Sequence, residues 1–199
     1  MNRKLYLFDF DGTISLKDSF FHFLMKVFGS KTVVIKIIFN LPKLFFIAIT
    51  NKEKSKVKEL ILSLFLKEKS KQEIYSLGKL YSEKHIIEII RPQAIEYILN
   101  IDRENSDIFI VSASIDIWLF NFVKENNMKL ISTKLAYKNG FFTGEFDGEN
   151  CKGEEKVKRI KKEISLNEYD EIISFGDSNG DKEMFAISTS THYKPFRKI

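Results

Sequence analysis

LYLFDFDGTIS, residues 5–15, decides how the chain is read. Four apolar residues, Leu5, Tyr6, Leu7 and Phe8, run straight into Asp9 and Asp11, with Gly12 and Thr13 directly behind. A run that is apolar at every position and ends in a turn predicts a strand buried on both faces, as in the middle of a parallel sheet. Ligands of such sheets bind at the carboxyl ends of the strands, so Asp9 and Asp11 stand where chemistry is placed. Both acids can face one pocket if the chain bends after Asp9, and Gly12 makes that bend cheap. Close carboxylates repel, and a divalent cation or a shared proton relieves the repulsion. A calcium loop opens with the same DxDG pattern, but Phe20 stands at its twelfth position, where a bidentate acid is required. That reading fails. A strand end with two solvated turn acids remains the plain alternative.

Two more runs have the same character. DIFIV (107–111) ends in Ser112-Ala113-Ser114, and EIISF (171–175) ends in GDSNGD (176–181). A further strand is expected over 128–132. Asn139-Gly140 between apolar-rich arms signals a hairpin with a type I′ turn. Helices are expected from Pro92, which suits a first helical position, over 116–124, from Gly153, and over 182–187. The last dozen residues show no clear pattern. Strand–helix alternation over residues 1–14 and 91–199 predicts the α/β class, a doubly wound, Rossmann-like parallel sheet. Residues 15–90 read as an all-helical insertion. One helix is expected over 20–28, two short ones over 32–50 with a kink near Leu41-Pro42, a turn and helix start over 51–58, and helices over 58–66 and 73–90. The second of these last two would carry Ile74, Leu77, Tyr81, His85 and Ile89 on one side. Lys36 and Lys43 interrupt the apolar 32–50 stretch, where a membrane-crossing helix wants about 20 clean apolar residues.

The 199 residues suffice for one domain, or one with an insertion, and 44% are hydrophobic. A single cysteine, Cys151, excludes an internal disulfide and suits a reducing compartment. With the first strand starting by Leu5 there is no room for a signal peptide, so the expected location is cytoplasmic. The net charge of +5 is unevenly placed: residues 15–90 hold 14 lysines against 7 acids, and the remainder is slightly acidic. Such asymmetry suggests two parts with different partners.

Polar residues thus end three strands: Asp9 and Asp11, Ser112, and Asp177 with Asp181. Lys156 starts the helix between the last two. Along one sheet edge these groups can meet, and acids for a magnesium ion, with a hydroxyl and a lysine for phosphate oxygens, compose a phosphoryl-transfer site. Each part alone has a bland reading, as a turn serine, one of several solvated lysines or a polar turn. A magnesium-binding receiver-like signalling domain shares acids, hydroxyl and lysine, but needs neither the GDSNGD stretch nor so long an insertion.

In these four stretches the chain resembles the haloacid dehalogenase superfamily of phosphohydrolases, in the branch with a helical cap inserted after the first motif. FDFDGT (8–13), VSAS (111–114), CKGEEK (151–156) and GDSNGD (176–181) match the family's motifs in order. The resemblance implies a core of residues 1–14 and 91–199 and a cap of 15–90. It implies Asp9 as the nucleophile that becomes a phospho-aspartate, and Asp11 as the acid that protonates the leaving group and then activates water. Ser112 and Lys156 would bind the phosphoryl group. Mg2+ would be held by Asp9, Asp177 and, through its backbone carbonyl, Asp11. Asp181 would support the metal's water or orient Lys156. Family ATPases carry threonine at the place of Asp11, so the carboxylate favours a phosphatase; a phosphotransferase remains the alternative within the same acid pair.

The substrate is expected to be a phosphorylated small molecule or a lipid phosphate. Asp18 lies where amino-acid-phosphate phosphatases of this branch read a substrate amine, but it also suits a helix N-cap. Against phosphoserine, no arginine lies between Arg3 and Arg91. Instead Phe39, Phe45, Phe46 and Phe65 lie among Lys36, Lys43, Lys52, Lys54, Lys56 and Lys58. Such a segment can rest in a membrane interface and attract anionic lipid, and loosely resembles the apolar caps of phosphatidylglycerophosphate phosphatases. A small bundle burying its own phenylalanines is the bland alternative. Nucleic acid is not an expected partner. His22, His85 and His192 lack metal-ligand spacing, Cys151 lacks a histidine partner, and Trp118 reads as core.

Overall fold

The computed structural model describes residues 3–50 and 55–197. The opening apolar run is β1 (Lys4–Phe8), followed by a tight turn, Phe10–Ile14, in which Gly12 takes φ +81°. Five helices come next: α1 (Ser19–Phe28), α2 (Ser30–Phe39), α3 (Leu41–Thr50), α4 (Ser55–Leu66) and α5 (Lys71–Lys84). The chain then runs through α6 (Pro92–Leu99), β2 (Ser106–Ile115), α7 (Asp116–Glu125) and β3 (Lys129–Thr133). An antiparallel pair, β4 (Leu135–Lys138) and β5 (Phe141–Phe146), leads to α8 (Glu154–Glu163), β6 (Glu171–Gly176), α9 (Lys182–Ala186) and β7 (Ser190–Tyr193).

The main sheet has the order β3-β2-β1-β6-β7, and every pairing in it is parallel. This is the doubly wound α/β fold that the three apolar runs predict. Burial on both faces explains their lack of alternation. Leu5 and Leu7 enter one core with Val111, Ile160 and Met184, while Tyr6 and Phe8 enter the other with Ile110, Trp118 and Phe175. Phe8 stands level with Ile110 and Phe175 in the register, so β1, β2 and β6 deliver their polar successors to one edge.

The helices between β1 and β2 leave and rejoin the sheet through a paired neck. Ser15 bridges Ile90, the Leu16 N–H donates to the Ile89 carbonyl at 2.6 Å, and the Arg91 N–H donates to that of Ile14 at 2.8 Å. Helices α2 and α3 meet at Asn40 with a 63° bend, and among the described residues no single helix is long and apolar enough to cross a membrane. Asn139 and Gly140 both have positive φ, 52° and 83°, as a type I′ turn demands. The hairpin they close leans on the helices: the Phe146 N–H donates to Glu59 at 3.0 Å and the Phe142 N–H to the Lys69 carbonyl at 3.0 Å.

Some elements differ from expectation. The helix expected over 73–90 ends at Lys84, and Ile86–Ile89 forms a separate tighter turn. β2 continues past Val111 to Ile115, because a register shift after Ser112 lets it keep pairing with β3. β7 lies in the stretch without pattern. Of the expected turn and helix start over 51–58, residues 51–54, with Lys52 and Lys54, lie outside the described residues; from Ser55 the described chain is helical.

Candidate active site

Asp9 follows the last residue of β1, its N–H fixed by the Phe175 carbonyl of β6 at 2.9 Å. Its Oδ1 accepts from Lys156 Nζ at 2.7 Å and its Oδ2 from Thr13 Oγ1 at 3.3 Å. Lys156 belongs to the inward face of α8, with Ile160 one turn on, and is 2% exposed. The same ammonium donates to Asp181 Oδ1 at 2.6 Å. The other oxygen of Asp181 accepts the Asp177 and Ser178 N–H groups, at 3.2 and 3.0 Å, which shapes the loop after β6. Burial pushes the Asp9 carboxyl up to about 7, against the pull of Lys156 and with a further push from Asp181. Burial works to lower Lys156, but Asp9 and Asp181 outweigh it and hold the ammonium charged.

Asp11 is turned the other way. Its Oδ1 accepts the Ser19 N–H at 2.7 Å, at the start of α1, and its Oδ2 accepts the Ser114 hydroxyl at 2.5 Å. The Ser114 and Ser19 hydroxyls meet at 2.8 Å, and Trp118 Nε1 donates to Ser19 Oγ at 3.1 Å. One buried network therefore joins the first motif, the first inserted helix, the end of β2 and α7. Burial, with the nearby charge of Asp18, holds the Asp11 carboxyl above the ordinary range, while Ser114 and Ser19 oppose that. Asp18 caps α1, accepting the Phe21 N–H at 3.1 Å, and also faces the cleft.

The cleft has a volume of about 340 Å³ and brings together all seven residues singled out in the sequence: Asp9, Asp11, Asp18, Ser112, Lys156, Asp177 and Asp181. Ser112 Oγ accepts the Ser114 N–H at 3.1 Å, which leaves its own proton to donate. Three lining residues were not foreseen: Lys58 from α4, and Asn150 and Lys152 from the loop before α8. Asn150 and Lys152 flank Cys151, so the third motif carried their signal; Lys58 had none beyond its lysine-rich neighbourhood. Arg197 was also missed, and its guanidinium reaches Asp177 Oδ2 at 3.1 Å. Cys151 is wholly buried and its thiol is pushed up to about 11 by that burial, which leaves no thiolate for chemistry.

Carboxylate oxygens of Asp9, Asp177 and Asp181 lie within 4.8 Å of one another. When ionised, these three acids outnumber the cations paired with them, Lys156 and Arg197, and Asp9 is held high by burial with a further push from Asp181. A hard divalent cation with oxygen ligands fits that set. Asp9 and Asp177 of the expected set stand in this cluster with Asp181 beside them; the expected contribution of Asp11 is its backbone carbonyl, and its carboxylate is engaged by Ser19 and Ser114.

Comparison with known proteins agrees with this geometry. The model of the haloacid dehalogenase-like hydrolase family matches residues 6–186. The chain belongs to that family. Protein CicA of Caulobacter vibrioides is 29% identical over 97% of this chain and 86% of its own length. Among solved structures, a protein of unknown function from Bordetella pertussis Tohama I superposes with a TM-score of 0.79 at 20% identity, covering 96% of this chain and 89% of that one. A substrate-bound phosphoserine phosphatase superposes with a TM-score of 0.60 at 22% identity, over 97% and 86% of the two chains. The structural likenesses show that the haloacid dehalogenase-like fold is shared from end to end.

Proposed function

We propose that the protein is a magnesium-dependent phosphatase that hydrolyses a phosphomonoester through an aspartyl-phosphate on Asp9, its substrate an anionic lipid phosphate. The observation that carries the hydrolytic reading is the buried Lys156 ammonium between Asp9 and Asp181, facing a cleft that also holds Ser112 and Asp177.

Asp9 Oδ attacks phosphorus, and the bond from phosphorus to the ester oxygen breaks as the new bond forms. Lys156 and the Ser112 hydroxyl bind the phosphoryl oxygens, whose charge otherwise repels a carboxylate nucleophile. The departing oxygen takes the proton of Asp11, whose raised pKa suits a donor. Asp11, now ionised, takes a proton from water as that water attacks phosphorus and frees the Asp9 carboxylate, releasing inorganic phosphate. A magnesium ion held by Asp9, Asp177 and Asp181 would supply the charge neutralisation that these acids still lack beside Lys156 and Arg197. Lys58 and Lys152 add positive charge to the cleft for the rest of an anionic substrate.

The test is phosphate release from lipid phosphates in detergent, phosphoserine, sugar phosphates and nucleotides, with magnesium or EDTA, beside Asp9→Asn. Release that needs both magnesium and Asp9 is expected, with lipid phosphates turned over best. Turnover that survives Asp9→Asn sinks the mechanism. Transfer to an added alcohol in place of water identifies a phosphotransferase.

A further inference from the structure

Helices α2 and α3 expose most of what they carry. Between Ser19 and Thr50 there are four lysines and no acid. α2 buries only Val33 and α3 only Leu44. Phe39 is 81% exposed, Phe45 69%, Phe46 62% and Ile49 64%, with Ile35 and Ile38 also open. Ile35, Ile38 and Phe39 follow helical spacing, as do Phe45, Phe46 and Ile49, so each helix presents an apolar stripe. Single exposed apolar residues are ordinary, but adjoining stripes of this size mark an interaction surface.

The chemistry around the stripes selects what covers them. Lys31 and Lys43 lie exposed beside them, and a second copy of the chain would set like charges against each other. Each helix is ten residues long, about 15 Å. A hydrocarbon core is about 30 Å thick, so neither helix crosses it, and a lysine-flanked apolar stripe of this length suits the interface plane instead.

The same surface leads to the cleft. A neighbouring cavity of about 460 Å³ shares Asn150 and Lys152 with the catalytic cleft. A third, of about 290 Å³, shares Lys56 and Glu59 with the second and is lined by Lys43 and Ile47 of α3. A furrow of adjoining cavities with Lys43, Lys56 and Lys152 along it, and with Glu59, Glu145 and Glu149 among its other lining residues, thus runs from α3 towards Asp9, Lys56 being paired with Glu59 at 2.9 Å.

We infer that α2 and α3 form a membrane-docking surface that seats the protein on an anionic bilayer, with the lysine furrow admitting a lipid's phosphomonoester headgroup to Asp9. The headgroup part rests on the phosphatase reading; the docking part is measured without turnover. Wild type and Asp9→Asn are pelleted with vesicles of phosphatidylcholine alone or mixed with phosphatidylglycerol, neither lipid being a phosphomonoester. Both proteins are expected to pellet with the mixed vesicles and to stay in solution with phosphatidylcholine. Phe45→Ser/Phe46→Ser should lower the bound fraction roughly tenfold or more, from the apolar area withdrawn. Lys31→Glu/Lys43→Glu should abolish the preference for anionic lipid. Circular dichroism checks that each variant is folded. For the headgroup, phosphate release from vesicle-borne phosphatidic acid, divided by release from p-nitrophenyl phosphate, should fall in Phe45→Ser/Phe46→Ser. An unchanged ratio overturns the delivery role. Equal pelleting with both vesicles, no pelleting with either, or a dimer that Phe45→Ser/Phe46→Ser converts to monomer overturns docking. Vesicle binding without phosphate release from any ester would instead leave docking standing and remove the phosphatase reading.

Discussion

Replacing Gly12 by alanine should damage the metal cluster more than the fold, and Gly140→Ala separates the two effects. Gly12 has φ +81° and Gly140 φ +83°, so both substitutions force an L-residue into left-handed backbone, at about 1–2 kcal/mol each. At Gly140 a Cβ meets nothing within 4 Å, and that backbone cost is the whole effect. At Gly12 the Cβ would stand 2.3 Å from Asp177 Oδ2 and 2.7 Å from Asp177 Cγ. Asp177 has to swing away, breaking its 3.1 Å pairing with Arg197. Overpacking of this kind adds about 1–3 kcal/mol, so urea unfolding should place Gly12→Ala roughly 2–5 kcal/mol below wild type. The displaced carboxylate also leaves two of three acids to hold a cation, so calorimetric Mg2+ titration should show affinity reduced at least about tenfold. Gly140→Ala should bind Mg2+ as wild type does. Equal stability losses in the two variants, with unchanged Mg2+ affinity, would refute the account of how Gly12 makes room for Asp177.

Lys156→Met leaves Asp9 and Asp181 buried without their cation, and metal-free protein should lose about 3–5 kcal/mol in urea unfolding at neutral pH. The loss should shrink as pH falls, because protonation of the two acids removes the uncompensated charge. Asp107, at the other end of the sheet, tests stability apart from chemistry. Burial opposes its ionisation, but hydrogen bonds from Lys129 at 2.7 Å, Tyr169 at 2.7 Å and Arg3 at 2.8 Å prevail and hold its pKa at about 2. The contribution, about 2 kcal/mol, is present above the unfolded carboxylate range near pH 4 and lost as pH falls through 2. Asp107→Asn should therefore lower stability at pH 7 by about that amount and flatten the acid limb of the stability–pH curve between pH 4 and 2.

What the sequence made legible was whatever the sheet imposes locally. β1, β2 and β6 were plain because burial on both faces favours long apolar runs, and the first polar residues after those runs mark the sheet edge where the site lies, even though β2 itself continues through Ser112 to Ile115. That logic also located Asp9, Ser112 and Asp177. β7 escaped because STHY is four residues long and largely exposed, so nothing in it must be apolar. The end of α5 escaped because a tighter turn keeps apolar residues three apart: Ile86 and Ile89 stay buried across the change of helix type. Lys58 lines the cleft from a helix face and Arg197 reaches Asp177 from near the end of the described residues, where no local pattern distinguishes them from solvated cations. The metal cluster shows a subtler limit. Spacing puts Asp9 and Asp11 together, but the bend after Asp9 sends their carboxylates to different partners.

That divergence ties two jobs to one side chain. The Asp11 carboxylate that would give up a proton is also the clasp on the first inserted helix, its oxygens spent on Ser19 and Ser114. A proton that Asp11 gives to an ester oxygen has to sit on one of the two oxygens that already accept from Ser19 and Ser114. Proton transfer and the fastening of the insertion thus share one carboxyl group, which sets the chemistry of Asp11 beside the helix that begins just after the short paired neck at Ser15 and Ile90.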